Sequence, residues 1–115
     1  MKILVIDVGG THVKVLASGV NEHRQFVSGS AMTPRKMVAG VKAITKDWKY
    51  DAVSIGYPGV VRKGRIAAEP VNMGRGWVGF SFSRAFRRPV KVVNDAVMQA
   101  LGSYRGGTML FLGLG

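Results

Sequence analysis

At 115 residues the chain is bounded to one domain with a single sizeable core. Its 47% hydrophobic and 20% charged residues exclude a disordered chain, the absence of cysteine excludes a disulfide framework or thiolate metal site, and no apolar run approaches the ~20 residues of a membrane helix. Seventeen Lys and Arg against six Asp and Glu leave a net charge of +11, a balance that favours a polyanionic partner such as nucleic acid, an anionic membrane or a phosphate chain, unless it merely solvates the surface.

Ile3-Leu4-Val5-Ile6 is apolar on both faces and predicts a central strand over 2–8. It runs into Asp7-Val8-Gly9-Gly10-Thr11, after which Val13, Val15 and Ala17 alternate with His12, Lys14 and Leu16 in a half-buried return strand over 12–18. Gly19-Val20-Asn21 is a turn, and the more polar stretch 22–28 is a third, edge strand. Gly9 and Gly10 lack a Cβ, so the backbone can approach a ligand closely, and successive N–H groups with the Thr11 hydroxyl can face anionic oxygens. Asp7 at the mouth of a buried strand is costly unless compensated, and a hydrated Mg²⁺ would compensate it. A plain hairpin with a solvated Asp fits these eight residues as well.

Thr33 followed by Pro34 reads as an N-cap and first helical position. Met37, Val41, Ile44 and Trp48 recur at helical spacing, which predicts an amphipathic helix over 34–48. Residues 52–57 are a fourth strand, parallel to the first through this crossover. Pro58-Gly59 breaks it, residues 60–67 form a small hairpin turning at Lys63-Gly64, and Glu69 to Gly79 is loop. A short helix near 81–86 is ended by Pro89, Val90 to Val93 form the next strand, and Asn94-Asp95 opens a helix over about 95–104. Thr108 to Leu112 is a last strand, running into Gly113-Leu114-Gly115.

The glycine turn after the first strand, Pro58-Gly59 and Asn94-Asp95 all fall at carboxyl ends of strands, where open α/β sheets bind ligands. Asp95 has the chemistry of a general base, although Asn94-Asp95 is also an ordinary helix cap. Gly113 and Gly115 close a second strand with glycines, the beginning of a second phosphate loop if they are not a frayed end. Two half-built phosphate loops point to one lobe of a two-lobe nucleotide-type fold.

In this order the motifs resemble a known family. Asp7-Val8-Gly9-Gly10-Thr11 with Lys14 resembles the first phosphate motif of the sugar-kinase, heat-shock and actin superfamily. Tyr57-Pro58-Gly59-Val60-Val61, Asn72 and Trp77, and Val93-Asn94-Asp95-Ala96 resemble the ROK sugar kinases, and among them polyphosphate/ATP glucokinases. The resemblance runs from Met1 to Gly115 but covers only that family's N-terminal lobe. It implies a ribonuclease H-like (actin-like ATPase) α/β domain, with a three-stranded antiparallel meander joined to parallel strands and covering helices. It implies phosphoryl transfer from ATP or polyphosphate to a hexose hydroxyl, with Asp95 as base and Asn94, Asp95, Gly59 and Asn72 binding the sugar. Gly9, Gly10, Thr11, Lys14, Gly113 and Gly115 would meet phosphate, and Asp7 would hold Mg²⁺ through water. Glu69-Pro70-Val71 before Asn72 departs from the small residues usual there, which makes Asn72 the weakest of these assignments.

The further expectations are a cytoplasmic protein, since the N-terminus enters a strand without a signal-peptide layout, and an incomplete site. A missing C-terminal lobe, or self-association in its place, would supply the rest, and the isolated chain is expected to be inactive. The competing readings are a basic nucleic-acid or polyanion-binding module and a non-catalytic, self-associating remnant. The aromatics Trp77, Phe80, Phe82 and Phe86 fit packing better than base stacking, so nucleic acid is not the expected partner.

Overall fold

The computed structural model describes residues 1–100, without the side chains of Gln99 and Ala100. The last predicted strand, the end of the last helix, Gly113 and Gly115 lie outside the described residues.

A five-stranded sheet is built from β1 (Ile3–Val8), β2 (His12–Ala17), β3 (Arg24–Val27), β4 (Ala52–Tyr57) and β7 (Val90–Asn94), in the order β3-β2-β1-β4-β7. β1, β2 and β3 form the antiparallel meander, while β4 lies parallel to β1 and β7 parallel to β4. The outer strand of the meander is the four-residue, polar β3, shorter than predicted and at the edge as expected. The hairpin β5 (Val61–Arg62) and β6 (Arg65–Ile66) stands apart, and its turn residues Lys63 and Gly64 take left-handed φ of 52° and 74°. Such angles match the twist of a two-residue hairpin turn.

α1 (Pro34–Ile44) begins where the sequence places it, with Thr33 Oγ1 accepting the Lys36 N–H at 3.3 Å and Pro34 in the first turn. It stops short of the predicted residue 48. The Thr45 hydroxyl donates back to the Val41 carbonyl at 2.7 Å, and Trp48 N–H donates to Thr45 in a turn, so Trp48 reaches the core from outside the helix. α2 (Phe82–Phe86) is capped by Ser81, and Asp95 opens α3 (Asp95–Ala100 as described).

The alternation of β1 and β2 divides the core into two layers. Leu4, Ile6, Val8, Val13 and Val15 pack with Met37 and Val41 of α1, Phe82 and Phe86 of α2, and Trp77. Ile3 and Val5 face the other way, with Ala52, Val93 and Met98 of α3. Asp7 follows Val5 by two residues and so stands on the α3 side of the sheet. Burying the apolar side chains of both layers is the dominant stabilising term.

Candidate functional site

The register brings three strand ends to one pole. Asp7 of β1 pairs with Gly56 of β4, Gly56 with Val93 of β7, and Tyr57 with Asn94. The Gly9–Thr11 turn, Pro58-Gly59 and Asn94-Asp95 therefore leave the sheet side by side.

The turn is held from behind by the end of β3. The carbonyls of Gly9, Gly10 and Thr11 accept from Ser28 Oγ at 2.7 Å, Gly29 N at 3.2 Å and Ser28 N at 2.9 Å. Gly9 N–H closes the turn onto His12 O at 3.0 Å, and a Cβ on Gly9 would press within 2.9 Å of that same oxygen. With three carbonyls turned into the protein, the Gly10 and Thr11 N–H groups find no acceptor among the described residues. Exposed donors on a fixed backbone are what an anion requires. Lys14 is exposed and opposite Asp7 in the β1–β2 register, hence on the same face.

Asn94 ties two of the three ends together. Its Nδ2 donates to Gly59 O at 2.7 Å, and its Oδ1 accepts the Ala96 N–H at 2.9 Å. The side chain thus caps α3 and clamps the Gly59 loop, leaving one amide hydrogen and one lone pair over. Asp95 is half-buried at the start of α3. A Cβ on Gly56 would collide with Met98 Sδ and come within 3.6 Å of Asp95 Cα, so this glycine lets α3 settle against β4. Asp95 and Asp7 consequently share one face of the sheet.

Asn72 is exposed and arrives from the 69–79 loop. A Cβ placed on Gly10 would stand 3.7 Å from Asn72 Cβ. Glu69 shapes this loop, its carboxylate accepting N–H bonds from Gly76 at 2.9 Å, Trp77 at 3.0 Å and Val78 at 3.0 Å. Partial burial pushes the Glu69 carboxyl up, but the three amides and the Arg75 charge outweigh it and leave it below its ordinary value. Beneath the loop, fully buried Trp77 donates Nε1–H to Met32 O and packs on Tyr57 with ring centroids 5.7 Å apart. Tyr57 donates its hydroxyl to Ala68 O at 2.7 Å, and burial, aided by the Glu69 charge, raises that hydroxyl to about 12.

No protein-family model matches the chain. A glucokinase from Pyrobaculum calidifontis is 30% identical over 106 residues, a match covering 90% of this chain and 35% of the glucokinase. The solved ROK hexokinase of Thermus thermophilus has the same fold, with a TM-score of 0.67 at 20% identity over 90% of this chain and 38% of its own. A structure assigned as a sugar kinase from Cytophaga hutchinsonii gives a TM-score of 0.67 at 25% identity over 90% of this chain and 39% of its own. The chain is similar to part of a glucokinase and has the fold of the N-terminal part of solved ROK sugar kinases. It spans roughly a third of the length of the glucokinase it matches.

Within this lobe the structure gathers Asp7, Gly9, Gly10, Thr11, Lys14, Gly59, Asn72, Asn94 and Asp95 at one end of the sheet. Gly113 and Gly115 lie outside the described residues. Among the described residues no three His, Cys, Asp or Glu side chains converge on a possible metal position. The donor set fits a Mg²⁺ held by one or two carboxylates, Asp7 foremost, with phosphate and water completing the shell. Three supporting residues escape the sequence reading: Ser28 behind the glycine turn, Gly56 under α3 and Glu69 inside the loop. A glycine within a buried strand is a readable sign of close approach, so Gly56 was within reach. Glu69 and Ser28 act on backbone groups that only the fold brings near, and no spacing rule marks them.

Proposed function

We propose that this lobe carries the acceptor and part of the phosphate machinery of a sugar kinase that transfers a phosphoryl group from ATP, or from polyphosphate, to a hexose such as glucose. The observation that carries the reading is the meeting at one pole of a glycine turn with outward N–H groups and a carboxylate opening a helix beside it. Phosphoryl transfer depends on placing the two substrates and neutralising charge, and this inventory does both. Gly10 and Thr11 N–H groups would hold the transferred phosphoryl group, with Lys14 adding charge. Gly59, Asn72 and Asn94 would orient the sugar, and Asp95 would accept the proton of the attacking hydroxyl. Mg²⁺, held at Asp7, would neutralise phosphate charge. A second lobe, from further chain or a second copy, completes the cleft, and the setting proposed is the cytoplasm. Among the described residues no helix is long and apolar enough to cross a membrane.

The test replaces the corresponding segment of the Pyrobaculum glucokinase with this chain. The hybrid should form glucose 6-phosphate, with ATP and polyphosphate compared as donors. Asp95→Asn should lower kcat by about 100-fold or more, the scale of general-base catalysis, with little change in the KM for glucose. Equal turnover by the variant would remove Asp95 from the role of base.

A further inference from the structure

His12 stands at the glycine turn without a part in the mechanism proposed for it. Its carbonyl closes the turn by accepting the Gly9 N–H at 3.0 Å. Its half-buried ring brings Nδ1 to 3.3 Å from the hydroxyl oxygen of exposed Thr11. Val13 and Val15 are buried in the α1 layer, so the alternation of β2 turns His12 and Lys14 to the opposite face, which is that of Asp7. The ring thus lies on the site side of the sheet, beside the outward Gly10 and Thr11 N–H groups.

The contact between ring and hydroxyl depends on charge. Thr11 has one hydroxyl proton to donate and two lone pairs to offer. A neutral ring protonated on Nε2 can only accept at Nδ1, which spends the Thr11 proton inside the protein. An imidazolium donates from both nitrogens, so Nδ1–H points at Oγ1 and the hydroxyl proton is released. Resting on the assignment of this turn to the transferred phosphoryl group, we propose that His12 is a positioning residue that, when charged, turns the Thr11 hydroxyl onto the bound anion. The hydroxyl then joins the Gly10 and Thr11 N–H groups as a third donor, and the ring adds a positive charge beside Lys14.

Few charges surround the ring. Asp7 faces this side from β1 and Lys14 from β2, while β3 offers only Val27 opposite His12 and Gln25 opposite Lys14. Asp95 stands across the sheet on α3, and the 69–79 loop approaches the turn through uncharged Asn72. Carboxylates and lysines ordinarily titrate outside the window in which a histidine changes charge.

The test is amide NMR of the 115-residue chain titrated with sulfate, a tetrahedral anion whose charge is constant over the histidine window. The Gly10 and Thr11 amides should report binding about fivefold tighter at about pH 5.5 than at about pH 7.5, the scale of one hydrogen bond to a charged group near the surface. His12→Gln should bind at both values as the parent does at the higher one. Thr11→Val should flatten the profile, and Thr11→Ser, which keeps the hydroxyl, should retain it. His23→Gln, at the far end of β3, should leave it unchanged. Parental binding that is independent of pH, a parental profile in His12→Gln or Thr11→Val, or its loss in His23→Gln would overturn the role of His12 while leaving the turn an anion site. Sulfate that moves none of the turn amides at either pH would overturn the phosphate assignment together with it.

Discussion

Glu69 has the clearest consequence of any residue outside the pole itself. Its carboxylate gathers three successive N–H groups of the segment that follows Asn72. Its folded-state value lies below the ordinary 4.5, so its contribution to stability is complete above about that pH and is lost as pH falls through the lower folded-state value. Glu69→Gln cannot lose a charge over this range. The thermal midpoint of the parent should therefore fall more steeply on acidification below about pH 4.5 than that of the variant, and parallel curves would refute the assignment. Asn94 teaches a related lesson. The sequence offers both a cap and a sugar ligand at this position, and the structure shows the cap directly, with Gly59 O as a second partner.

At the scale of elements, legibility follows how local the determinants are. The β1–β2 hairpin, the Thr33-Pro34 start of α1 and the Lys63-Gly64 turn are set by neighbouring residues, and all three stand where the sequence puts them. The end of α1 is set by Thr45 bonding back to Val41, while Trp48 keeps a helical spacing without being helical. Periodicity reports which side chains reach the core and not the backbone that delivers them. The seating of α3 depends on Gly56 in the same non-local way. Gly56→Ala should force the buried Met98 side chain out of its place against β4, at a cost of about 1–3 kcal/mol in urea unfolding. An unfolding free energy equal to the parent's would show that α3 does not rest on this glycine.

At the scale of the molecule, four exposed valines stand at the pole of the glycine turn. Val27 ends β3, Val60 follows Gly59, Val71 precedes Asn72 and Val97 lies in the first turn of α3, with exposures of 71, 50, 94 and 44%. Apolar surface beside a polar site is the mark of a face that meets another body. The isolated chain should therefore self-associate on size exclusion as its concentration rises, and Val71→Asp should shift it toward monomer. A monomer at every concentration would mean that these valines need no cover. The mixed sheet and its pole of strand ends were legible from the order of motifs, since apolar runs and glycine breaks are local. The supports behind the glycine turn were not, because Ser28 and Gly29 meet it only once β3 has paired.

One pole of the sheet is proposed to receive both phosphate and sugar. The most direct measurement is an amide NMR spectrum of the chain titrated separately with Mg²⁺-tripolyphosphate and with glucose. Tripolyphosphate should shift the Gly9, Gly10 and Thr11 amides, and glucose those of Gly59, Asn72 and Asp95. Glycine-turn amides unmoved by tripolyphosphate, or Gly59, Asn72 and Asp95 amides unmoved by glucose, would contradict it.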